Sequence, residues 1–201
     1  GNFEGTKERI REDMEKMRRE GVRQFFIIGG EHSISPVAVE FVKPEKVAVI
    51  DAHLDFEEEW CGIRHSHACA TRRIAEIVGA ENVVVLGVRS FSQAEKEEAE
   101  ELGLRYYTGF EIKEEPEILE RELKKVDYLS LDMDGIDPAF APEVGTPEPF
   151  GIDPFHLLRA LSKAGIKNAD LVEAAPKSAT TPTAVLGAVL AREIIARMLK
   201  N

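Results

Sequence analysis

Short runs of apolar, often β-branched residues alternate along the chain with longer stretches in which apolar positions recur every three or four residues. The short runs predict strands at Gln24–Gly29, Val47–Asp51, Val83–Val88, Arg105–Tyr107, Tyr128–Asp132 and Asp170–Glu173. The amphipathic stretches predict helices at Thr6–Glu20, Ser35–Phe41, Ala68–Val78, Gln93–Leu102, Glu115–Lys124, Pro154–Ala164 and Thr183–Leu199. Asp153 ahead of Pro154 reads as an N-cap followed by a proline in the first turn. Strand and helix alternate throughout, which predicts an α/β fold with a mainly parallel sheet covered on both faces. No repeat, low-complexity segment or linker divides the sequence, so residues 1–201 read as one domain. In such sheets, ligands gather beyond the carboxyl ends of the strands.

Composition narrows the function classes. The chain has 201 residues, 43% of them hydrophobic, which suits a sizeable core. A formal net charge of -11 argues against nucleic acid and anionic membranes as partners and suits a cationic substrate. The only two cysteines, Cys61 and Cys69, make no disulfide framework, so a reducing, cytoplasmic setting is expected. No run of about 18 apolar residues crosses a membrane, and the charged opening "GNFEGTKERIREDMEKMRRE" has no apolar signal core.

The strand ends carry the chemistry. The apolar run in "VAVIDAHLDF" ends in Asp51, His53 and Asp55, spaced two apart, so that an extended chain points them to one side. In "YLSLDMDGIDP" another apolar run ends in Asp132 and Asp134, and "QFFIIGGEHSIS" ends in a Gly-Gly turn with Glu31 and His32. Taken singly, each piece has a bland explanation: a strand-end aspartate caps a helix, and "GGEHS" is a turn with a capping serine. Together they deliver His32, His53, Asp51, Asp55, Asp132 and Asp134 to one edge. Four carboxylates crowded at buried strand ends repel and lack compensation, and a pair of divalent cations removes both problems. An oxygen-rich donor set with a minority of imidazole suits manganese. Two such ions lower the pKa of a bridging water, which makes metal-assisted hydrolysis the leading reaction class.

With "GTPEPFG" and "LVEAAP", these segments resemble the ureohydrolases, the arginase and agmatinase family, over about Gly29 to Pro176 and in the family's order, in a form closest to archaeal-type agmatinases. The resemblance implies an arginase/deacetylase-like three-layer α/β sandwich and two manganese ions per subunit. It assigns His32, Asp51, Asp55 and Asp132 to one ion and Asp51, His53, Asp132 and Asp134 to the other, with Asp51 and Asp132 bridging. Asp137 precedes a proline and reads as a turn-builder. In "CGIRHSHACATRRI", His67 matches the family's proton-transfer histidine, with His65 as the alternative; imidazole titrates near the pH this needs. Cys61, His65, His67 and Cys69 offer a competing zinc set, though their spacing is unlike that of common zinc fingers. Glu173 matches the glutamate that grips a guanidinium, and its alternative is a plain ion pair with a neighbouring base. Gly145, Thr146 and Pro147 are expected to shape the pocket wall.

The activity so implied is hydrolysis of a small cationic guanidino compound by metal-bridging hydroxide, with agmatine converted to putrescine and urea. No Ser-x-Asn pattern follows His67 to hold an amino-acid head group, which favours agmatine over arginine. Arginase, guanidinobutyrase or formiminoglutamase activity and a catalytically silent metal-binding subunit are the alternatives. The resemblance also implies a homo-oligomer, a trimer or hexamer. Two departures stand out. Only 31 residues precede His32, so the sequence reads as lacking the family's usual N-terminal portion. Ala175 and Lys177–Ser178 occupy positions where the family carries an asparagine before the proline and an aspartate after it.

Overall fold

The computed structural model describes residues 3–200. Its centre is a six-stranded sheet of β1 (Phe26–Ile28), β2 (Val47–Ile50), β3 (Val83–Val88), β4 (Arg105–Thr108), β5 (Tyr128–Asp132) and β6 (Asn168–Val172), in the spatial order β1-β6-β5-β2-β3-β4. Every strand pairing is parallel, so all six strands end on one edge. Parallel neighbours need crossovers. The helices are α1 (Phe3–Arg19), α2 (Ser35–Val42), α3 (Ala70–Val78), α4 (Gln93–Glu101), α5 (Gly109–Glu114), α6 (Glu117–Leu123), α7 (Pro154–Leu161) and α8 (Pro182–Met198).

Strand periodicity divides the core into two layers. Ala48 and Ile50 of β2, with Val84 and Leu86 of β3, pack against Leu119, Leu157 and Leu190 of α6, α7 and α8. The intervening Val47, Val49, Val83 and Val85 face the other way, onto Ala38 and Val39 of α2, Ile74 of α3 and Ala99 of α4. A strand apolar at every position must be covered on both faces, which gives the three-layer α/β/α sandwich.

The connections place the site. From β2 the chain crosses by α3 to β3 and moves toward one edge. From β5 it crosses by α7, on the opposite face, to β6 and the other edge. Since β2 and β5 are neighbours, their outgoing chains diverge and open a crevice beyond their carboxyl ends. Gly135, in the turn after β5, lets that turn press onto β2's exit: a Cβ there would lie 2.8 Å from the Asp51 nitrogen.

The predicted strands and helices all stand, with several ends shifted by two or three residues and one helix added. Strand β6 begins at Asn168, ahead of the expected Asp170. Helix α5 was not expected; it is one short turn-and-a-half opened by a capping box. The Glu111 N–H donates to Thr108 Oγ1 at 3.2 Å, and the Thr108 N–H donates to the Glu111 carboxylate at 2.7 Å. The "TGFE" spacing is the signal for it, but six residues are too few to show a helical period. Asp153 caps α7 as expected, accepting from the Phe155 N–H at 2.8 Å.

Leu119 is fully buried in the α6–α8 layer and far from the strand ends. Leu119→Ala is expected to lower unfolding stability by about 2–5 kcal/mol. The exposed Met17→Ala is expected to stay within about 0.5 kcal/mol of the parent in the same urea titration.

Candidate metal centre

The six expected ligands meet where β1, β2 and β5 end. His32 begins the 3-10 turn after β1, Asp51, His53 and Asp55 follow β2, and Asp132 and Asp134 close β5. His32 Nδ1 lies 3.1 Å from Asp51 Oδ2, 3.3 Å from Asp55 Oδ2 and 3.2 Å from Asp132 Oδ2. His53 Nδ1 lies 3.4 Å from Asp51 Oδ1 and 3.1 Å from Asp134 Oδ2. Two metal-holding groups result among the described residues: His32, Asp51 and Asp132, and Asp51, His53 and Asp134. Asp51 belongs to both. Asp132 falls in the first group only, while Asp55 reaches His32 without joining either.

Two observations fit this cage to cations. Donors at right angles on an ion with bonds of about 2.1 Å sit roughly 3 Å apart, close to the separations found here. In addition, His32 Nδ1 and Asp51 Oδ2 are buried with no hydrogen-bond partner, although they are 3.1 Å apart. Their alignment is wrong for bonding each other and right for a shared third atom. Leaving buried polar atoms unpaired is costly unless an ion takes them up.

Without a cation the carboxylates share protons and imidazoles. Burial and the charge of Asp51 push Asp55 up to about 8. Burial, with Asp51 and Asp134 nearby, holds Asp132 well above the usual carboxylate range. Burial alone would keep the imidazoles neutral. The Asp134 and Asp51 carboxylates outweigh it and push His53 up to about 11, and the Asp132, Asp51 and Asp55 carboxylates do the same for His32.

Hydrogen bonds behind the cage fix its geometry. The His53 N–H donates to Asp51 Oδ1 at 2.7 Å, the Asp134 N–H to Asp132 Oδ1 at 2.8 Å, and Ala52 N–H to Asp134 Oδ1 at 3.1 Å. Thr146 Oγ1 donates to Asp134 Oδ2 at 3.0 Å. His32 Nε2 pairs with Ser130 Oγ at 3.0 Å, and Ser130 Oγ donates to Asp170 Oδ1 at 2.8 Å. Asp170 also accepts from Ser35 Oγ at 2.9 Å and Tyr128 Oη at 2.7 Å. With Ser130 Oγ donating to Asp170, it accepts from Nε2–H, so in the neutral imidazole, the form that binds a cation, Nδ1 is the unprotonated nitrogen and faces the cage. Sequence reasoning missed Ser130 and Asp170. The available signal was a polar residue in the middle of a strand otherwise buried on both faces.

Glu173 follows β6 and lines the same cavity as His53, Asp55 and Asp134. Its Oε1 accepts the His32 N–H at 2.7 Å. Burial raises its carboxyl pKa. Asp55 and Glu173 both adopt left-handed backbone, at φ 51° and 60°. That conformation costs a non-glycine residue about 1–3 kcal/mol and collects at functional sites. His67 lines the cavity too, and its Nδ1 lies 3.1 Å from Glu31 Oε1. Burial would raise the Glu31 pKa, but hydrogen bonds from Ser33 and His67 hold it low. His65 points elsewhere: it stacks on Phe3 at 4.3 Å in another cavity. No metal-holding group among the described residues includes Cys61 or Cys69, so the competing zinc set is not assembled. Asp137 builds a turn as expected, accepting from the Ala139 and Gly151 N–H groups. Gly145 and Thr146 line the cavity; Pro147 does not. The cavity holds about 530 Å³, and its outer lining of Glu57, Trp60 and Phe91 was not anticipated.

Comparison with known proteins identifies the family and the fold. A model of the arginase family matches residues 1–196. An N(1)-aminopropylagmatine ureohydrolase of Thermococcus kodakarensis is 31% identical, over 100% of this chain and 71% of its own length. An agmatinase of Halalkalibacterium halodurans is 37% identical, over 74% of this chain and 55% of its own. The crystal structure of the agmatine ureohydrolase of Thermoplasma volcanium superimposes with a TM-score of 0.88 at 32% identity, over 98% of this chain and 69% of that one. Both of these curated relatives are longer than this chain, which spans 71% of the first and 55% of the second.

Ser130→Ala is expected to weaken manganese binding by about tenfold or more, read by titration calorimetry, because His32 loses the partner that sets its tautomer. Metal affinity is also expected to rise from pH 6 to pH 8. Asp55, pushed up to about 8, holds a proton below that pH, and a cation must displace it. Calorimetry in two buffers of different ionisation heat measures the released protons.

Proposed function

The chain belongs to the arginase family, and from that premise we propose that it hydrolyses the guanidinium group of a small cation, with agmatine as substrate and putrescine and urea as products. The observation that carries this reading is the pair of orphaned, buried donors, His32 Nδ1 and Asp51 Oδ2, within a cage of four aspartates and two histidines. The donor set favours manganese in both positions. His32, Asp51, Asp55 and Asp132 would hold one ion, and Asp51, His53, Asp132 and Asp134 the other. Bound there, two divalent ions supply a water acidified to near neutral pH and an electrophilic surface for the developing charge.

The chain's own residues do the rest. Glu173, steadied by the His32 N–H, accepts hydrogen bonds from the guanidinium and aims its carbon at the cage. A C–O bond forms and a C–N bond breaks; the departing amine takes up a proton and the other fragment is urea. His67 delivers that proton from Nε2. Glu31 holds Nδ1 at 3.1 Å and so turns the second ring nitrogen toward the cavity. Thr146 keeps Asp134 in place through its hydroxyl. The free thiols Cys61 and Cys69 support a cytoplasmic setting, and no helix among the described residues is long and apolar enough to cross a membrane.

The test is release of urea from agmatine, arginine and 4-guanidinobutyrate by manganese-loaded protein, with chelated protein beside it. Urea from agmatine that is lost on chelation and in Asp132→Ala is the expected result. Urea from none of the three, or undiminished activity in metal-stripped Asp132→Ala, overturns the reading. His67→Ala is expected to lower kcat by about 100-fold while manganese affinity stays unchanged.

A further inference from the structure

The cavity changes character from floor to rim. At the floor lie the caged aspartates; at the rim Trp60 and Phe91 stand 49% and 40% exposed. Trp60 is held there by a tight two-residue turn. Its N–H and carbonyl exchange hydrogen bonds with Ile63 at 3.0 and 2.9 Å, and Cys61 and Gly62 between them both have positive φ, 51° and 75°. That is the signature of a type I′ turn, a rigid way to present a side chain.

Charge accounting leaves one group without a task. No lysine or arginine lines the cavity. Arg89, on the chain leaving β3, gives its donors to the carbonyls of Gly87, Asp134, Glu148 and Pro149. Among the lining carboxylates, Asp55, Asp132 and Asp134 belong to the cage, and Glu173 is assigned to the guanidinium. Glu95 is committed to backbone, accepting the Phe56 and Ser92 N–H groups at 3.0 and 2.8 Å. Glu57 remains. Among the described residues its side chain takes part in one hydrogen bond, from the Ser92 hydroxyl at 3.3 Å, and in no ion pair.

We infer that Glu57, in the same rim as Trp60 and Phe91, is the residue that discriminates among guanidines by the charge at their far end, acting as a second cation subsite. This rests on the guanidine-hydrolysis reading and adds to it which end of the molecule selects the substrate. A carboxylate in the same rim as two exposed aromatic rings attracts an ammonium group by charge, and the ring quadrupoles favour a cation there too. The same carboxylate repels a substrate ending in a carboxylate, and the cavity offers no fixed cation to compensate. The rim is open to solvent, so an extended polyamine arm fits the same chemistry.

The test compares kcat/KM of the manganese-loaded protein for agmatine, n-butylguanidine and 4-guanidinobutyrate. Glu57→Gln is expected to lower the agmatine to n-butylguanidine ratio about fivefold. Glu57→Lys is expected to move the preference further, toward 4-guanidinobutyrate. Ratios that neither variant moves overturn the subsite. A second readout needs no turnover: the affinity of 1,4-diaminobutane relative to 1-aminobutane, by calorimetry. A diamine preference lost in Glu57→Gln supports the subsite even if no urea forms, and in that case hydrolysis alone fails. Equal losses for both amines overturn the subsite even if urea is made.

Discussion

Four carboxylates converge at the ends of two adjacent buried strands, and the rest of the site is arranged around the repulsion between them. A polypeptide cannot neutralise that much charge in so small a volume with two imidazoles alone, as the displaced pKa values of Asp55 and Asp132 record. The sheet makes the crowding possible: β2 and β5 are neighbours whose crossovers leave on opposite faces, so no helix caps the gap between them. Gly135 then brings the two strand exits within contact of one another. The candidate cation site and the sheet's winding are therefore one design, in which topology gathers negative charge that a cation would offset.

Around that centre the supporting groups work in a graded way. Behind the cage, Asp170, Ser130 and Tyr128 form a dry polar chain that fixes one imidazole tautomer. Beside it, Asp55 and Glu173 are held in left-handed backbone, and both line the cavity. The local strain is offset by hydrogen bonds from neighbouring backbone, such as the His32 N–H to Glu173. In front, Glu31, the neighbour of His32 after the same Gly-Gly turn, pairs with His67. One short segment, Glu31–His32, thus serves both the cage and the His67 imidazole.

Much of this was legible in the sequence because apolar runs mark the strand ends and the acids and imidazoles follow them at once. Strand β2 nonetheless closes at Ile50 and Asp55 is left-handed, so the groups converge through turns and not along an extended chain. Asp51, His53 and Asp55 recur every second residue at the end of an apolar run, and the structure places the first two within 3.4 Å of one another. The alternating helices and strands gave the layers and the parallel sheet for the same reason: a strand apolar on both faces has to be covered twice. What stayed hidden depends on contacts between segments distant in the chain. Ser130 and Asp170 are 40 residues apart and meet only through the register of β5 and β6. His65 and His67 have identical local chemistry, and only packing separates them, with Phe3 taking the first. Glu57 was one acid in the run "FEEEW" until the turn at Cys61–Gly62 and the loop after β3 built a rim beside it.

The rim has a further property that follows from composition. Trp60 is the chain's single tryptophan, and it stands at the mouth of the cavity, half open to water. The indole emission of this protein therefore arises from the gateway alone, with no background from the core. Anything that dries or charges that threshold alters its colour and brightness, so the molecule carries a built-in optical gauge of its own doorway.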